Sequence, residues 1–251
     1  MGEKRRTSNR DVPWDEFDPD AYVSHYYSDP HPDDDQAVQL ASLALSAAKP
    51  AGNQLSVVDV GTGPNLFPLL AALPRSARLT AWEYSDANLR WLTDELARPA
   101  LREPWVHFWS IVRKAYGAPY HLPEDPMPVL CARTRVQKGS VYDLPERQWD
   151  AATMFFCAES ITDQFEEFQL ACSRFAKCVR SGGTLTAAFL LSSEAYVVAG
   201  HRYPVLKLSE ALLSTVFRSV ADNVVIQTIG AADDEVRSGY VKMAFLTARS
   251  L

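Results

Sequence analysis

The chain has 251 residues, a formal net charge of -6 and a hydrophobic fraction of 47%, which suits one sizeable α/β domain better than two small ones. The acidic balance argues against a nucleic-acid binder, because proteins that hold phosphate backbones electrostatically are usually basic. No apolar run approaches the roughly 18 residues of a membrane span, and no apolar segment follows the basic N-terminus as it would in a secretory signal.

The N-terminal part of the chain is predicted to contain a tail and a cap. Residues 1–16 are predicted to be a disordered tail, and residues 17–251 a single domain. Within that domain, residues 17–50 are predicted to form an aromatic arm followed by a helix. The arm is expected to be ordered, because its tyrosines need a surface to pack on. The helix begins with three aspartates, which favour the positive end of the helix dipole. Residues 99–131 are less regular and read as an insert.

Strands and helices alternate through the rest of the chain. Short apolar, β-branched runs predict strands over 54–61, 77–85, 133–141, 149–160, 184–193, 223–231 and 240–249. Helical periodicity with capping residues predicts helices over 64–74, 85–98, 162–183 and 207–221, the third stopped by Gly182 and Gly183. This alternation favours a parallel sheet covered on both faces, with the last two strands antiparallel. Such sheets bind ligands at the carboxyl ends of their strands.

A glycine turn, "DVGTGPN", joins the first predicted strand to the next helix. Glycines at Gly61 and Gly63 allow the main chain to approach a ligand closely. Glu83 lies 20 residues after Gly63, at the end of the second predicted strand. A carboxylate there can accept hydrogen bonds from both hydroxyls of a ribose. The alternative is an ordinary tight turn beside a surface glutamate.

The residues after this turn help to choose between nucleoside cofactors. A dinucleotide needs a third glycine so that its pyrophosphate can lie on the helix N-terminus. Here Pro64, Asn65 and Leu66 follow instead. S-adenosylmethionine carries no phosphate and needs only the close turn and the ribose carboxylate. The turn therefore favours S-adenosylmethionine over NAD.

Four stretches resemble one enzyme family in the same order along the chain. They are "FDPDAYVSHYY", "VVDVGTGPNLFPLLAA", "WEYSDANLRWL" and "RSGGTLTAAFLLSSEAYVVAGHRYP". They resemble the small-molecule N-methyltransferases of the nicotinamide, phenylethanolamine and indolethylamine type, over roughly Phe17 to Arg249. The resemblance implies the class I methyltransferase fold. That fold is α/β and Rossmann-like, with helices on both faces of a seven-stranded sheet whose last strand is antiparallel, and here an N-terminal cap. The implied cofactor is S-adenosylmethionine, and its product is S-adenosylhomocysteine.

The resemblance also implies a set of cofactor-binding positions. They are Tyr22, Tyr26, Tyr27, Gly61, Thr62, Gly63, Phe67, Glu83, Tyr84, Asn88, Ser140, Val141, Phe155, Phe156 and Cys157. Three of them depart from the family pattern: Phe67 replaces a tyrosine, Glu83 replaces an aspartate, and Ser140 replaces the aspartate beside the adenine. The serine weakens the contact to the adenine amino group unless water or the backbone replaces it. Plain packing remains the alternative for the tyrosines, helix-surface exposure for Asn88, and a wall position rather than a nucleophile for Cys157.

Methyl transfer from a sulfonium mainly requires that the acceptor be held in line and water be excluded. A base is needed only for a protonated or hydroxyl acceptor. Glu159 is predicted to orient or deprotonate the acceptor, with His201 and Tyr27 as further catalytic candidates. Phe189 stands where the relatives carry an aspartate that contacts the acceptor. The predicted substrate-binding positions are Glu159, Phe189, Ser193, Tyr196, His201 and Tyr203. The alternatives are a helix N-terminal acid for Glu159 and a surface loop residue for His201.

These observations predict an S-adenosylmethionine-dependent methyltransferase that acts on a small molecule, with nitrogen as the favoured acceptor atom. The alternatives are an O-methyltransferase, a non-catalytic S-adenosylmethionine- or nucleoside-binding protein, a nicotinamide-dependent oxidoreductase, and a methyltransferase that acts on macromolecules. The four cysteines form no CxxC pair and the five histidines are scattered. We therefore expect reduced thiols, a cytoplasmic location and no metal. We expect no nucleic-acid or membrane partner, and the oligomeric state is left open.

Overall fold

A seven-stranded sheet lies at the centre of the structure, a computed structural model that describes residues 7–118, 120–230 and 242–251. The strands of the chain are β1 (Leu55–Val60), β2 (Ser76–Glu83), β3 (Thr134–Lys138), β4 (Trp149–Phe155), β5 (Val179–Leu191), β6 (Tyr196–Val198), β7 (His201–Tyr203), β8 (Ala221–Ile229) and β9 (Lys242–Ser250). The sheet order is β3-β2-β1-β4-β5-β9-β8, and β6 and β7 form a separate hairpin. Strands β1 to β5 are parallel, whereas β9 is antiparallel to both of its neighbours. The predicted sheet with an antiparallel last strand is confirmed.

Helices cover both faces of this sheet. They are α1 (Pro19–Tyr26), α2 (Pro32–Ser46), α3 (Phe67–Ala72), α4 (Asp86–Leu96), α5 (Glu103–Tyr116), α6 (Met127–Arg133), α7 (Phe165–Cys178) and α8 (Glu210–Arg218). Successive strand residues face opposite sides of a sheet. Val57 accordingly packs in the core beneath α2, α3 and α5, and Val58 in the core beneath α7 and α8. In the described ranges, none of the helices is long and apolar enough to cross a membrane.

Side-chain caps fix where several helices begin. Asp18, Ser85 and Ser209 each accept a hydrogen bond from the main-chain N–H three residues later, at the starts of α1, α4 and α8. These caps set the entry of the chain into three of the helices. The cap on α4 lies directly after the end of β2, where the candidate site is found.

The end of α7 differs from the prediction. The helix ends at Cys178 rather than at the glycine pair, and β5 has already begun at Val179. The guanidinium of Arg180 donates to Asp150 Oδ1 at 2.6 Å, which ties this stretch to β4. A Cβ on Gly183 would lie 2.7 Å from the carbonyl oxygen of Asp150. This glycine therefore permits close strand pairing and does not stop the helix.

The predicted disordered tail is wrong over residues 7–16, which we call the N-terminal strap. The strap forms two 3-10 turns and is bonded at both ends. At its start, Thr7 N–H donates to Asp163 Oδ1 at 2.6 Å. At its end, Ser85 Oγ donates to the carbonyl oxygen of Trp14 at 2.7 Å. Residues 1–6 of the predicted tail, and residues 231 and 240–241 of two predicted strands, lie outside the described residues.

Candidate active site

A cavity opens at the carboxyl ends of β1, β2 and β4, beneath the N-terminal strap. Its empty space, including the open mouth, is about 810 Å³. Most of the predicted cofactor-binding positions line it: Tyr22, Tyr27, Gly61, Thr62, Gly63, Glu83, Tyr84, Asn88, Ser140, Val141, Phe155, Phe156 and Cys157. The topology thus brings the arm, the glycine turn and three strand ends to one place.

The glycine turn passes very close to the end of β4. Gly61 and Gly63 have φ angles of 65° and 58°, in the left-handed region that favours glycine. The N–H of Gly61 donates to the carbonyl oxygen of Trp82 at 2.8 Å, which fixes the turn against β2. A Cβ on Gly61 would lie 2.2 Å from Cys157 Sγ. Position 61 therefore accepts only glycine unless Cys157 moves.

Glu83 connects the glycine turn to the start of α4. Its Oε2 accepts the N–H of Gly63 at 2.8 Å, and its Oε1 accepts the N–H of Ser85 at 2.8 Å and the amide of Asn88 at 3.4 Å. Burial raises the pKa of Glu83, and these hydrogen bonds offset part of that rise. A buried carboxylate with three donors in place is held in one orientation. That orientation presents it to the cavity.

The acceptor groups beside Glu83 fit a ribose. Asn88 Oδ1 is buried and has no hydrogen-bond partner among the described residues. Asn88 also lines the cavity together with Glu83. Two adjacent hydroxyl donors on a ligand would satisfy this carbonyl and the free lone pair of the carboxylate. These two hydrogen-bond acceptors therefore suit the sugar of a nucleoside cofactor.

A second buried acid, Asp59, lies under the glycine turn within β1. Its Oδ1 accepts the hydroxyl of Thr153 at 2.6 Å. Burial raises the pKa of Asp59 to about 7, the hydroxyls of Thr153 and Thr62 work against this rise, and the charge of Glu83 adds to it. The state of Asp59 is therefore coupled electrostatically to that of Glu83 on the next strand.

Aromatic rings form one side of the cavity. Trp14 stacks on Tyr203 with centroids 5.4 Å apart, and Tyr203 stacks on Tyr196 at 5.1 Å. Phe17 packs against Tyr203 at 5.2 Å. Trp14, Phe17 and Tyr196 all line the cavity. This stack joins the strap to the β6–β7 hairpin, two segments that lie on separate parts of the chain.

Two predicted cofactor positions and one predicted substrate position pack away from the cavity wall. Tyr26 packs against Tyr22, with ring centroids 4.7 Å apart. Phe67 is fully buried behind the wall and packs against Tyr27 at 5.8 Å. Phe189 lies on the opposite face of the sheet, against rings of α7 and α8. Tyr26 and Phe67 therefore support lining residues, and Phe189 packs in the core beneath α7 and α8.

The structure also places most of the predicted catalytic and substrate residues away from the wall. Glu159 is fully buried, and its Oε1 accepts the N–H of Leu190 at 3.0 Å. His201 is half exposed on β7, 4.0 Å from Glu16. Ser193 and Tyr203 are buried behind the lining residues. Tyr27 and Tyr196 line the cavity, and the catalytic roles of Glu159, His201 and Tyr27 stay predictions.

Eight residues line the cavity without having been predicted from the sequence: Asn9, Trp14, Phe17, Pro64, Asn65, Gly139, Ser160 and Ile161. Asn9 and Trp14 belong to the strap. Its polar composition predicted disorder, although a lone tryptophan in such a segment can indicate packing. Gly139 had a detectable signal, since a glycine inside a predicted strand often permits a close approach of another part of the chain. A Cβ there would lie 2.2 Å from the ring of Trp82. Nothing in the sequence distinguishes Ser160 from other loop serines.

The sheet order and the cavity define a class I methyltransferase fold, and solved structures share it. One is the crystal structure of magnesium protoporphyrin IX methyltransferase from Synechocystis PCC 6803 with bound S-adenosylmethionine. It has a TM-score of 0.58 and 14% identity, over 92% of this chain and 90% of that one. A second is 1,6-didemethyltoxoflavin-N1-methyltransferase from Burkholderia thailandensis, with a TM-score of 0.51 and 19% identity, over 92% and 86% of the two chains. A third is the [4+2]-cyclase SpnF, with a TM-score of 0.53 and 15% identity over 86% and 82%. The differing reactions show that this fold does not choose a reaction.

A sequence profile of the NNMT/PNMT/TEMT family matches residues 6–122 and 127–250, and the chain belongs to this family. The chain is 25% identical to phenylethanolamine N-methyltransferase of Sus scrofa over 217 residues, 77% of this chain and 73% of the relative. It is 23% identical to nicotinamide N-methyltransferase of Sus scrofa, over 84% of each chain. It is also 23% identical to indolethylamine N-methyltransferase of Mus musculus, over 93% of each. The predicted S-adenosylmethionine-dependent small-molecule methyltransferase is confirmed.

Proposed function

We propose that this methyltransferase acts on a nitrogen atom of a small, neutral aromatic molecule. The observation that carries this proposal is the wall of the cavity. Its aromatic side chains include Tyr27, Phe156 and Tyr196. Among the described residues that line the cavity, Glu83 is the only one with a formal charge. A planar, uncharged acceptor fits such a wall better than an ammonium ion does, because a cation needs a counter-ion once it leaves water.

Glu83, Asn88 and the glycine turn would hold the cofactor. Glu83 and Asn88 offer acceptors for the ribose hydroxyls, and Gly61 and Gly63 bring main-chain atoms to the ligand. S-adenosylmethionine supplies an activated methyl group on a sulfonium with a neutral leaving group. The chain's own residues have to bind both molecules, orient the acceptor and exclude water. The strap and the arm tyrosines provide that exclusion in the proposal.

The acceptor would meet one unsatisfied hydroxyl. Ser160 Oγ is buried, lines the cavity and has no hydrogen-bond partner within the described ranges. A hydroxyl can donate and accept, so it suits a carbonyl or ring-nitrogen group on the acceptor. A neutral aromatic nitrogen exposes its lone pair at neutral pH and needs no base. No residue of the cavity wall therefore has to act as a general base.

A methyl-transfer screen with methyl-labelled S-adenosylmethionine tests this function. The screen pairs pyridine-type and aniline-type nitrogens with aliphatic amines, phenols and carboxylates, and mass spectrometry locates the added methyl. We expect transfer to aromatic nitrogens in preference to amines that are protonated at the assay pH. Transfer to phenols alone, or to aliphatic amines alone, would overturn the assignment of the acceptor.

The proposal includes a cytoplasmic location and a small molecule as the partner, with no nucleic-acid or membrane partner. The net charge of -6 supports the exclusion of nucleic acid. The four cysteines are free, and three of them are buried, which suits a reducing compartment. Fractionation of the producing cells, with a cytosolic enzyme as the control, tests the location.

A further inference from the structure

We propose that Asn9, on the N-terminal strap, recognises the purine base of the cofactor. The inference rests on the proposed cofactor site and assigns to it a residue from the segment predicted to be disordered. Asn9 lines the same cavity as Glu83, Ser140 and Val141. It is the only amide that the described part of the strap brings to this wall.

The strap is fastened where Asn9 lies. The main-chain N–H of Asn9 donates to Glu167 Oε2 at 2.9 Å, and the hydroxyl of Ser8 donates to Glu167 Oε1. Thr162 Oγ1 donates to the carbonyl oxygen of Thr7 at 3.1 Å. Burial raises the pKa of Glu167, but the hydrogen bonds from Asn9 and Ser8 outweigh that effect and lower it overall. Glu167 is therefore an ionised anchor for this part of the chain.

The side-chain amide of Asn9 has a determined orientation. The indole N–H of Trp14 donates to Asn9 Oδ1 at 2.9 Å. An indole N–H can only donate, so the oxygen of the amide must face Trp14. The two N–H donors of the amide then remain for a ligand. A purine offers ring nitrogens that accept hydrogen bonds and suit such a donor.

The position that contacts adenine in the relatives is altered here. Ser140 stands in place of an aspartate, and its hydroxyl accepts the main-chain N–H of Tyr142 at 3.2 Å. The carbonyl oxygen of Ser140 accepts the indole N–H of Trp82 at 3.0 Å. Both oxygen atoms of Ser140 therefore accept hydrogen bonds from the protein, one from the turn after β3 and one from β2. Asn9 supplies a base contact from the other side of the cavity, and Glu167 acts as the positioning residue.

Calorimetry with S-adenosylhomocysteine and its 1-deaza, 3-deaza and 7-deaza analogues tests this. Each analogue lacks one ring-nitrogen acceptor of the base. We expect the protein to bind one analogue about three- to tenfold more weakly than S-adenosylhomocysteine, as expected for one lost neutral hydrogen bond. Asn9→Ala should bind S-adenosylhomocysteine and that analogue equally. Glu167→Ala should show the same loss of discrimination, because it releases the strap.

Two further variants separate recognition from folding. Asn9→Asp keeps an oxygen for the indole of Trp14 and removes both N–H donors, so it should lose discrimination while retaining its melting temperature. Asp11→Ala, an exposed change on the same strap, should keep the unaltered protein's preference. An unaltered preference in Asn9→Asp, or equal binding of all three analogues by the unaltered protein, would overturn the inference. Failure of the unaltered protein to bind S-adenosylhomocysteine would instead overturn the proposed function.

Discussion

Glu83 Oε2 accepts the main-chain N–H of Gly63 at 2.8 Å, across the gap between the ends of β2 and β1. This bond joins the predicted ribose carboxylate to the glycine turn. The same carboxylate also accepts the N–H of Ser85, the residue that caps α4. One side chain therefore fixes the turn, the helix start and the acceptor groups of the cavity. Replacement of Glu83 should weaken ligand binding more than replacement of any other single residue of the cavity wall.

Glu83→Ala should weaken S-adenosylhomocysteine binding by about 1–3 kcal/mol, because buried ribose hydroxyls would lose charge-assisted hydrogen bonds. Isothermal titration calorimetry measures the loss. Glu210→Ala is the matched control, since Glu210 is an exposed carboxylate on α8 that accepts a hydrogen bond from Thr228 Oγ1 at 2.8 Å. Equal affinities for Glu83→Ala and the control would remove Glu83 from the site.

The two turn glycines should respond differently to alanine. At Gly61 a Cβ would overlap Cys157 Sγ, whereas at Gly63 its nearest neighbour would be 3.9 Å away. Both positions have positive φ, so each alanine should cost about 1 kcal/mol of unfolding free energy in backbone strain. Gly61→Ala should cost about 1–3 kcal/mol more from overpacking. Urea unfolding compares the two variants.

Cys157→Gly added to Gly61→Ala tests the source of that extra cost. The double variant removes both Cys157 atoms that a Cβ on Gly61 would meet. The change Gly61→Ala should therefore lower the unfolding free energy less when it is made in Cys157→Gly than when it is made in the unaltered protein. Equal costs of the Gly61 change in both backgrounds would contradict the steric explanation.

The sheet and most of the cavity wall could be predicted because their signals are local. An apolar strand, a GxG turn and an acid at the next strand end lie within about 30 residues, and parallel topology then forces them together. The burial of Val57 and Val58 could also be predicted locally, because side-chain alternation along β1 is enough to assign them to opposite faces of the sheet.

The predicted substrate positions that lie away from the cavity could not be placed from the sequence, because their locations depend on strand register and on tertiary bonds. Phe189 lies between Ala188 and Leu190 on β5, and those two neighbours face the core beneath α2 and α3. A shift of one residue would have brought Phe189 to the other face. The strap was missed for a related reason. Its order comes from bonds to Asp163 and Glu167, more than 150 residues away, which local composition does not reveal.

Asp59→Asn should change how stability depends on pH. Burial raises the pKa of Asp59 from its usual value of 3.8 to about 7, so the folded state keeps a proton that the unfolded chain releases. This contribution is present at low pH and is lost as pH rises through about 7. The unfolding free energy of Asp59→Asn, measured relative to that of the unaltered protein, should therefore increase between pH 4 and pH 8. The increase should be on the order of a few kcal/mol. Urea unfolding at each pH measures the difference, and a constant difference would contradict the raised pKa.

Glu159→Gln distinguishes two roles for that residue. Because Glu159 Oε1 accepts the N–H of Leu190, glutamine can keep this bond, and we expect turnover to fall by less than about tenfold. Glu159→Ala should lower the unfolding free energy by about 1–3 kcal/mol, since a buried N–H loses its acceptor. Turnover with a labelled cofactor and thermal melting measure both variants. A large loss of turnover in Glu159→Gln, with unchanged cofactor affinity, would restore the predicted role as a base.

Tyr196→Ala should weaken the acceptor site and leave the cofactor site intact. Tyr196 lines the cavity and stacks on Tyr203, so its removal opens the aromatic wall. The KM for an aromatic acceptor should rise by up to about tenfold, the usual range for a lost aromatic contact. Tyr196→Phe keeps the ring and should stay near the unaltered value, and Val197→Ala on the same hairpin is the exposed control. A raised Kd for S-adenosylhomocysteine, with an unchanged acceptor KM, would place Tyr196 at the cofactor instead.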